Sequence, residues 1–209
     1  MRSAYKQYPI CDTDIWVKIC LVDYCDVIFA KYPKIFFSDV VEKEILKWDR
    51  HTGKYRKVAE NFEKHRDAGN IVVIHFTEVF SDEEQLMMEN EIYGLDFKYS
   101  ILSGKGETDK GEFVSALYAF YLKIPFMKTD DSIFDEGRKG NKEFPDLKIK
   151  KWYEIMDDLC SSQDEKMRVR RLLEMEKQKM DQDYEELLEK QKREAMLRNL
   201  QGKINNNRL

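Results

Sequence analysis

The chain has 209 residues, 42% of them hydrophobic and 36% charged, with a formal net charge of −4. That length suits one α/β domain with an appendage. The acidic balance argues against a long groove for duplex nucleic acid, and three His with four scattered Cys argue against a structural zinc site. Cys11, Cys20, Cys25 and Cys160 show no CxxC spacing and read as buried free thiols. Met1 to Tyr8 is polar, and no apolar run approaches the ~20 residues that span a bilayer. The expectation is a cytoplasmic protein with no membrane partner.

In chain order, Tyr8 to Cys11 predicts a short apolar strand ending at Asp12. Thr13 or Asp14 caps the following helix, Ile15 to Tyr24. Val27 to Tyr32 is a second apolar segment closed by Pro33, and Ile35 to Phe37 reads as extended. Ser38 or Asp39 caps a helix from Val40 to Trp48, with Val41, Ile45 and Trp48 on one face. His51 to Gly53 predicts a turn. Lys54 to Arg66 is a charged helix stopped by Gly69-Asn70. Ile71 to Phe76 is β-branched and continuous, which predicts a strand buried on both faces. Ser81 to Leu95 reads as an acidic helix. An acidic loop, Gly104 to Glu112, leads into a helix apolar almost all round, Phe113 to Leu122. A strand from Ile124 to Lys128 stops on Thr129-Asp130-Asp131. Asp135 to Phe144 reads as a polar loop, Leu147 to Lys150 as a weak last strand, and Trp152 to Leu159 as a short helix.

Strands alternating with helices predict a parallel sheet flanked by helices. In such a sheet the end of one strand and the start of a helix following another share an edge. Asp12, Glu112, Asp130 and Asp131 all fall at such junctions, and Glu44 lies inside an early helix. Each has an ordinary reading: a cap, a solvated helix acid, a first-turn glutamate, a turn residue. Gathered at one edge they would repel unless a cation sits among them. Mg²⁺ or Mn²⁺ is the natural one, because hard cations take oxygen ligands. Such ions activate water and stabilise phosphoryl charge, so phosphodiester hydrolysis suits the set. Thr129 is placed to orient Asp130 by a hydrogen bond.

These residues resemble the PIN-domain nucleases, which include the VapC-type toxins. Ile10-Cys11-Asp12-Thr13-Asp14 is similar to the strand that opens the family. Glu44-Ile45 matches its helix acid. Gly111-Glu112-Phe113-Val114-Ser115-Ala116 resembles its Gly-Glu and buried alanine-rich helix, and Lys123-Ile124-Pro125 leads to Thr129-Asp130-Asp131. The resemblance covers residues 1–160. It implies a three-layer fold with a central parallel sheet. It implies Asp12, Glu44, Glu112 and Asp130 or Asp131 as ligands of Mg²⁺ or Mn²⁺, RNA as substrate, and an antitoxin as protein partner. Asp14 stands where the family has a small polar residue. Gly106-Glu107 offers a second Gly-Glu, but the buried helix follows Glu112 at the family's spacing.

Residues 161–209 carry 12 Lys and Arg against 10 Asp and Glu, and the remaining chain nets −6. Gln163 to Leu200 lacks Pro and Gly and favours helix. Leu173, Met180, Tyr184 and Leu187 form its apolar stripe. The stripe leaves three readings: a solvated helix, a homodimer seam, or a helix that binds a groove. The basic run Lys166 to Arg171 offers weak contact to phosphates, and Gln201 to Leu209 reads as frayed. Because the apolar core lies upstream, truncation after Ser161 is expected to leave a folded domain.

Overall fold

The computed structural model describes residues 2–48, 55–103 and 105–206, so the expected turn at residues 51–53 and the first residue of the Lys54 helix lie outside the described residues. Five parallel strands form one sheet: β1 (Ile10–Cys11), β2 (Ile35–Ser38), β3 (Ile71–Ile74), β4 (Met127–Lys128) and β5 (Ile149–Lys150). Their order is β3-β2-β1-β4-β5, with Ile10 opposite both Phe36 and Met127. The first three strands build outward in one direction and the last two in the other. The order therefore reverses between β1 and β4, where open parallel sheets leave a crevice at the strands' carboxyl ends.

Strand side chains alternate between two cores. Ile10, Phe36, Ile74 and Met127 face a core shared with α6 (Asp82–Gly94) and α7 (Lys110–Leu122). Cys11, Ile35, Phe37 and Ile71 face a second core, built with α1 (Thr13–Leu21), α2 (Cys25–Lys31), α4 (Arg56–Asp67) and α9 (Trp152–Leu159). Helix α3 (Asp39–Lys47) sits at the junction and sends Val41 and Ile45 into the second core. Two short helices, α5 (Phe76–Val79) and α8 (Lys139–Glu143), complete the domain.

A buried polar strut fixes α7 against α3. Tyr118 donates to Asp39 Oδ1 at 2.9 Å, the Phe76 amide donates to Asp39 Oδ2 at 3.2 Å, and the Ser38 and Ser115 hydroxyls lie 3.0 Å apart. Asp39, Ser38 and Ser115 are all buried. Buried polar groups are tolerated when they are bonded, and these are.

The local reading differs from the fold in several places. The first helix is capped by Asp12, not by Thr13 or Asp14, and ends at Leu21; α7 starts at Lys110, ahead of Phe113; and the strand expected from Ile124 is only Met127–Lys128. The strand after Asn70 ends at Ile74, and Val72 and Val73 are half-buried. It is the outermost strand beside β2, so burial on both faces is lost at the sheet edge. Val27 to Tyr32 belongs largely to helix α2, and the Asp135 to Phe144 loop contains α8. Gly69 takes φ +77° and stops α4 as expected.

Lys128 breaks the apolar strand pattern. It is fully buried and its Nζ has no hydrogen-bond partner. The ammonium lies 4.1 Å from the Tyr32 ring centroid and 5.1 Å from that of Phe126. Burial pushes its pKa down to about 8. Two aromatic faces partly replace the lost water.

The tail is one helix, α10 (Gln163–Asn206). Its start docks on the domain. Val169 and Leu173 are buried in the second core, Tyr24 donates to Glu165 Oε1 at 3.1 Å, and Lys166 pairs with Asp157. The expectation that the whole core lies upstream of Ser161 is thus corrected. Val169 stands four residues before Leu173, one helical turn earlier on the same face, and the seven-residue pattern starting at Leu173 passes it by. Beyond Leu173 the described side chains are exposed or half-exposed. Among the described residues, no helix is long and apolar enough to cross a membrane.

Truncation after Ser161 is expected to cost about 3–5 kcal/mol, the burial of one Val and one Leu side chain, whereas truncation after Lys179 leaves the melting temperature unchanged. Thermal denaturation of both chains checks this. For Lys128, the unfolded chain binds more protons than the folded one between about pH 8 and the ordinary lysine value, so the penalty is full below pH 8. Lys128→Met is expected to raise stability at pH 7 by about 1–3 kcal/mol. The gain shrinks as pH rises above 8, which denaturant titrations at two pH values would measure.

Candidate functional site

The site lies where β1 and β4 end side by side. Asp12 follows β1 directly and is the N-cap of α1. Its Oδ1 accepts from the Thr13 amide at 2.7 Å, and its Oδ2 accepts from Thr129 Oγ1 at 3.1 Å. Its own amide donates to the Lys128 carbonyl at 3.0 Å. The side chain is buried and held at both oxygens. Burial pushes its carboxyl well above the usual range, and the charges of Glu112, Asp14 and Glu44 add to the rise.

Two threonines connect Asp12 to its neighbours. Thr13 Oγ1 donates to Glu44 Oε2 at 3.0 Å. Thr129 Oγ1 accepts from the Asp131 amide at 3.1 Å while donating to Asp12. Thr129 therefore orients Asp12 and Asp131, not Asp130 as its sequence position suggested. Successive side chains leave a strand on opposite faces, so Thr129 and Asp130 meet different partners, Asp12 for the one and Lys18 for the other.

Glu112 stands in the first turn of α7. Burial pushes its carboxyl up to about 7, and the charges of Asp131, Glu44 and Asp109 contribute. Gly111 lies beside Glu44: a Cβ there would sit 3.6 Å from Glu44 Oε2. The start of α7 and the middle of α3 are thereby brought together, with Glu44 exposed at the surface. Asp109, which the sequence reading missed, adopts φ +61° and feels the Asp131 charge. Its signal was the Thr108-Asp109 pair just ahead of α7, a capping position.

Asp130 is engaged elsewhere. Its Oδ1 accepts from the Trp152 amide at 2.6 Å, and Lys18 pairs with its Oδ2. The Asp130 amide donates to Asp14 Oδ2 at 2.9 Å, and Lys18 lies 3.6 Å from the same oxygen. Asp14 and Asp130 share one lysine, Lys18, and the group ties β4 to α1 and α9. Asp131, the other half of the sequence alternative, is the one that faces Glu112. Its Oδ1 accepts from the Ile133 amide at 2.8 Å. Glu107 accepts from the Lys98 amide at 2.8 Å and the Tyr99 amide at 3.2 Å, with Lys110 at 3.5 Å. These contacts brace the loop ahead of α7 and hold Glu107 below the usual carboxylate range.

The donor set of Asp12, Glu44, Glu112 and Asp131 is all carboxylate oxygen, the chemistry of a hard divalent cation. The Asp12 and Glu112 carboxyls are raised first by burial and then by the charges of neighbouring acids. As placed, no three His, Cys, Asp or Glu side chains among the described residues stand close enough to hold a metal ion. Comparison with family models, with curated proteins and with solved structures finds no match.

A carboxyl whose folded pKa is raised contributes stability that is present at low pH and lost as pH rises through the folded value. For Glu112 that window runs from its ordinary 4.5 to about 7. Metal-free protein is expected to lose about 2 kcal/mol between pH 5 and pH 8 from this group. Glu112→Gln removes that dependence, and Asp12→Asn reduces what remains. Chemical denaturation in EDTA across the range checks both. Added Mn²⁺ at pH 8 is expected to restore stability to the wild-type protein and not to Asp12→Asn.

Proposed function

We propose that this protein is a Mg²⁺- or Mn²⁺-dependent endoribonuclease of PIN type. The observation that carries the reading is the junction of Asp12, Glu44, Glu112 and Asp131 at the point where the strand order reverses. Burial and mutual repulsion there push two of the four carboxyls upward. Asp12 is the anchor, because both its oxygens are already oriented. Glu44 and Asp131 are positioned through the same two threonines. Glu112 would contribute a carboxylate to the same ion from the first turn of α7. A bound divalent ion would supply charge to the phosphoryl oxygens and acidify a water. Lys18 keeps Asp130 out of this set as a structural brace.

The form of the activity we infer is the toxin of a toxin–antitoxin pair, with an antitoxin as protein partner. It rests on the likeness of the Gly111-Glu112 and Thr129-Asp130-Asp131 blocks to that family. A second reading is a non-catalytic PIN-like interaction module acting through α10, whose described side chains beyond Leu173 stand in solvent or partly so. Cleavage separates the two.

The test is hydrolysis of a panel of RNA and DNA oligomers with Mg²⁺, Mn²⁺ or EDTA. RNA cleavage should require the metal. Asp12→Asn and Glu112→Gln should each lose about a hundredfold or more. Thr129→Val should lose about 10–100-fold through the orientation of Asp12, and Glu107→Gln should keep wild-type activity. Cleavage that survives EDTA, or that is intact in Asp12→Asn, overturns the nuclease reading.

A further inference from the structure

A cleft of about 620 Å³ opens directly onto Glu44 and Glu112. One wall is the outer face of α3 and the other is the loop that precedes α7. The loop wall is preformed. Glu89 accepts from the Ile101 amide, Glu107 accepts from the Lys98 and Tyr99 amides, and Lys110 donates to the Tyr99 and Ser100 carbonyls. Three further acids line the cleft: Glu42 pairs with Arg66 at 2.8 Å, Glu107 is used in the loop, and Asp109 stands at the start of α7 beside Glu112. Lys43 and Lys47 remain on the α3 wall. They lie one turn apart on one helix face and are exposed, and among the described residues no ion pair engages either. Lys105 adds a third cation on the opposite wall. Lys43 is the immediate neighbour of Glu44, so the two lysines form a positive track that leads from the acid cluster outward.

Resting on the nuclease reading, we propose that this cleft holds the strand beside the scissile phosphate, with Lys43 and Lys47 as positioning residues for two successive backbone phosphates. Two i,i+4 lysines have Cβ atoms about 5–6 Å apart, a spacing that suits consecutive phosphates of one extended strand. A cavity of this size falls within the range that encloses a small ligand. It admits a few unpaired nucleotides and excludes a duplex. The lysines bind without reading sequence, because phosphate contacts position and do not specify. Their distance from the acids in sequence is small, yet their charge stays available because no carboxylate of the cluster pairs with them.

The test is binding of a fluorescent single-stranded RNA 12-mer by full-length Asp12→Asn protein in EDTA, followed by anisotropy at several salt concentrations. Adding Lys43→Ala and Lys47→Ala to that background is expected to weaken binding tenfold or more. It should also flatten the log–log salt slope by about 1.4, the value for two single-strand phosphate contacts. Lys31→Glu with Lys34→Glu, at the opposite edge of the sheet, is expected to change affinity no more than a general loss of charge would. The same oligomer annealed to its complement is expected to bind at least tenfold more weakly than the single strand. In the otherwise wild-type protein, Lys43→Ala/Lys47→Ala should raise KM for RNA with little change in kcat. Unchanged affinity and slope in the lysine variant, or equal binding of the duplex, overturns the cleft assignment and leaves the nuclease reading standing if metal-dependent cleavage is seen. Absence of both RNA binding and cleavage in the unsubstituted protein overturns both.

Discussion

Thr129 Oγ1 is the stitch on which the site depends. It donates to Asp12 Oδ2 and accepts from the Asp131 amide, so one hydroxyl spans the gap between the ends of β1 and β4. That gap exists because the strand order reverses there. A parallel sheet that kept building in one direction would cover the carboxyl end of β1 with a crossover helix. The reversal leaves it open, and the acids that follow β1 and β4 meet across it. Thr13 repeats the device toward Glu44. The two hydroxyls thus fix the carboxylates of Asp12 and Glu44, and Asp131 is tied to them through its backbone amide.

The second constraint is the placement of α7. A helix buried on most of its faces is fixed by packing alone along its length, but its azimuth is set by the strut through Tyr118, Asp39, Ser38 and Ser115. Glu112 occupies the first turn of that helix, so the strut sets where its carboxylate stands relative to Glu44. Asp39 is therefore a structural acid: among the described residues it and Asp12 are the buried acids, and Asp39 accepts from Tyr118 and the Phe76 amide, whereas Asp12 accepts from Thr129 and the Thr13 amide.

The described structure also separates two acid groups that adjoin in sequence. Asp12 and Asp131 belong to the cluster, whereas Asp14 and Asp130 share Lys18. The difference is one of charge balance. A lysine between two aspartates makes a brace, and acids without one raise each other's pKa. The docking of α10 follows at the other face, where Val169 and Leu173 close the second core and the described side chains beyond them are exposed or half-exposed.

Much of this was legible in the chain. Short apolar runs between amphipathic stretches specify strands and helices by their periods, and Asp12 and Glu112 stand out by their junction positions. The alternation of elements points to a parallel sheet with helices on its faces. What local pattern does not carry is direction across space. Whether Asp130 or Asp131 faces Glu112 depends on which way the chain leaves β4, and that is set by Lys18 and the Trp152 amide, 112 and 22 residues away in the chain. That β3 is an edge strand depends on strand order, since IVVI reads alike at an edge or in a centre. Burial of Lys128 is decided by Tyr32 and Phe126, which come from a helix end and a loop. Val169 enters the core only because α10 folds back on α1. Periodicity determines each element and its faces; which faces meet, and which charges are left uncompensated, is decided only when the elements pack.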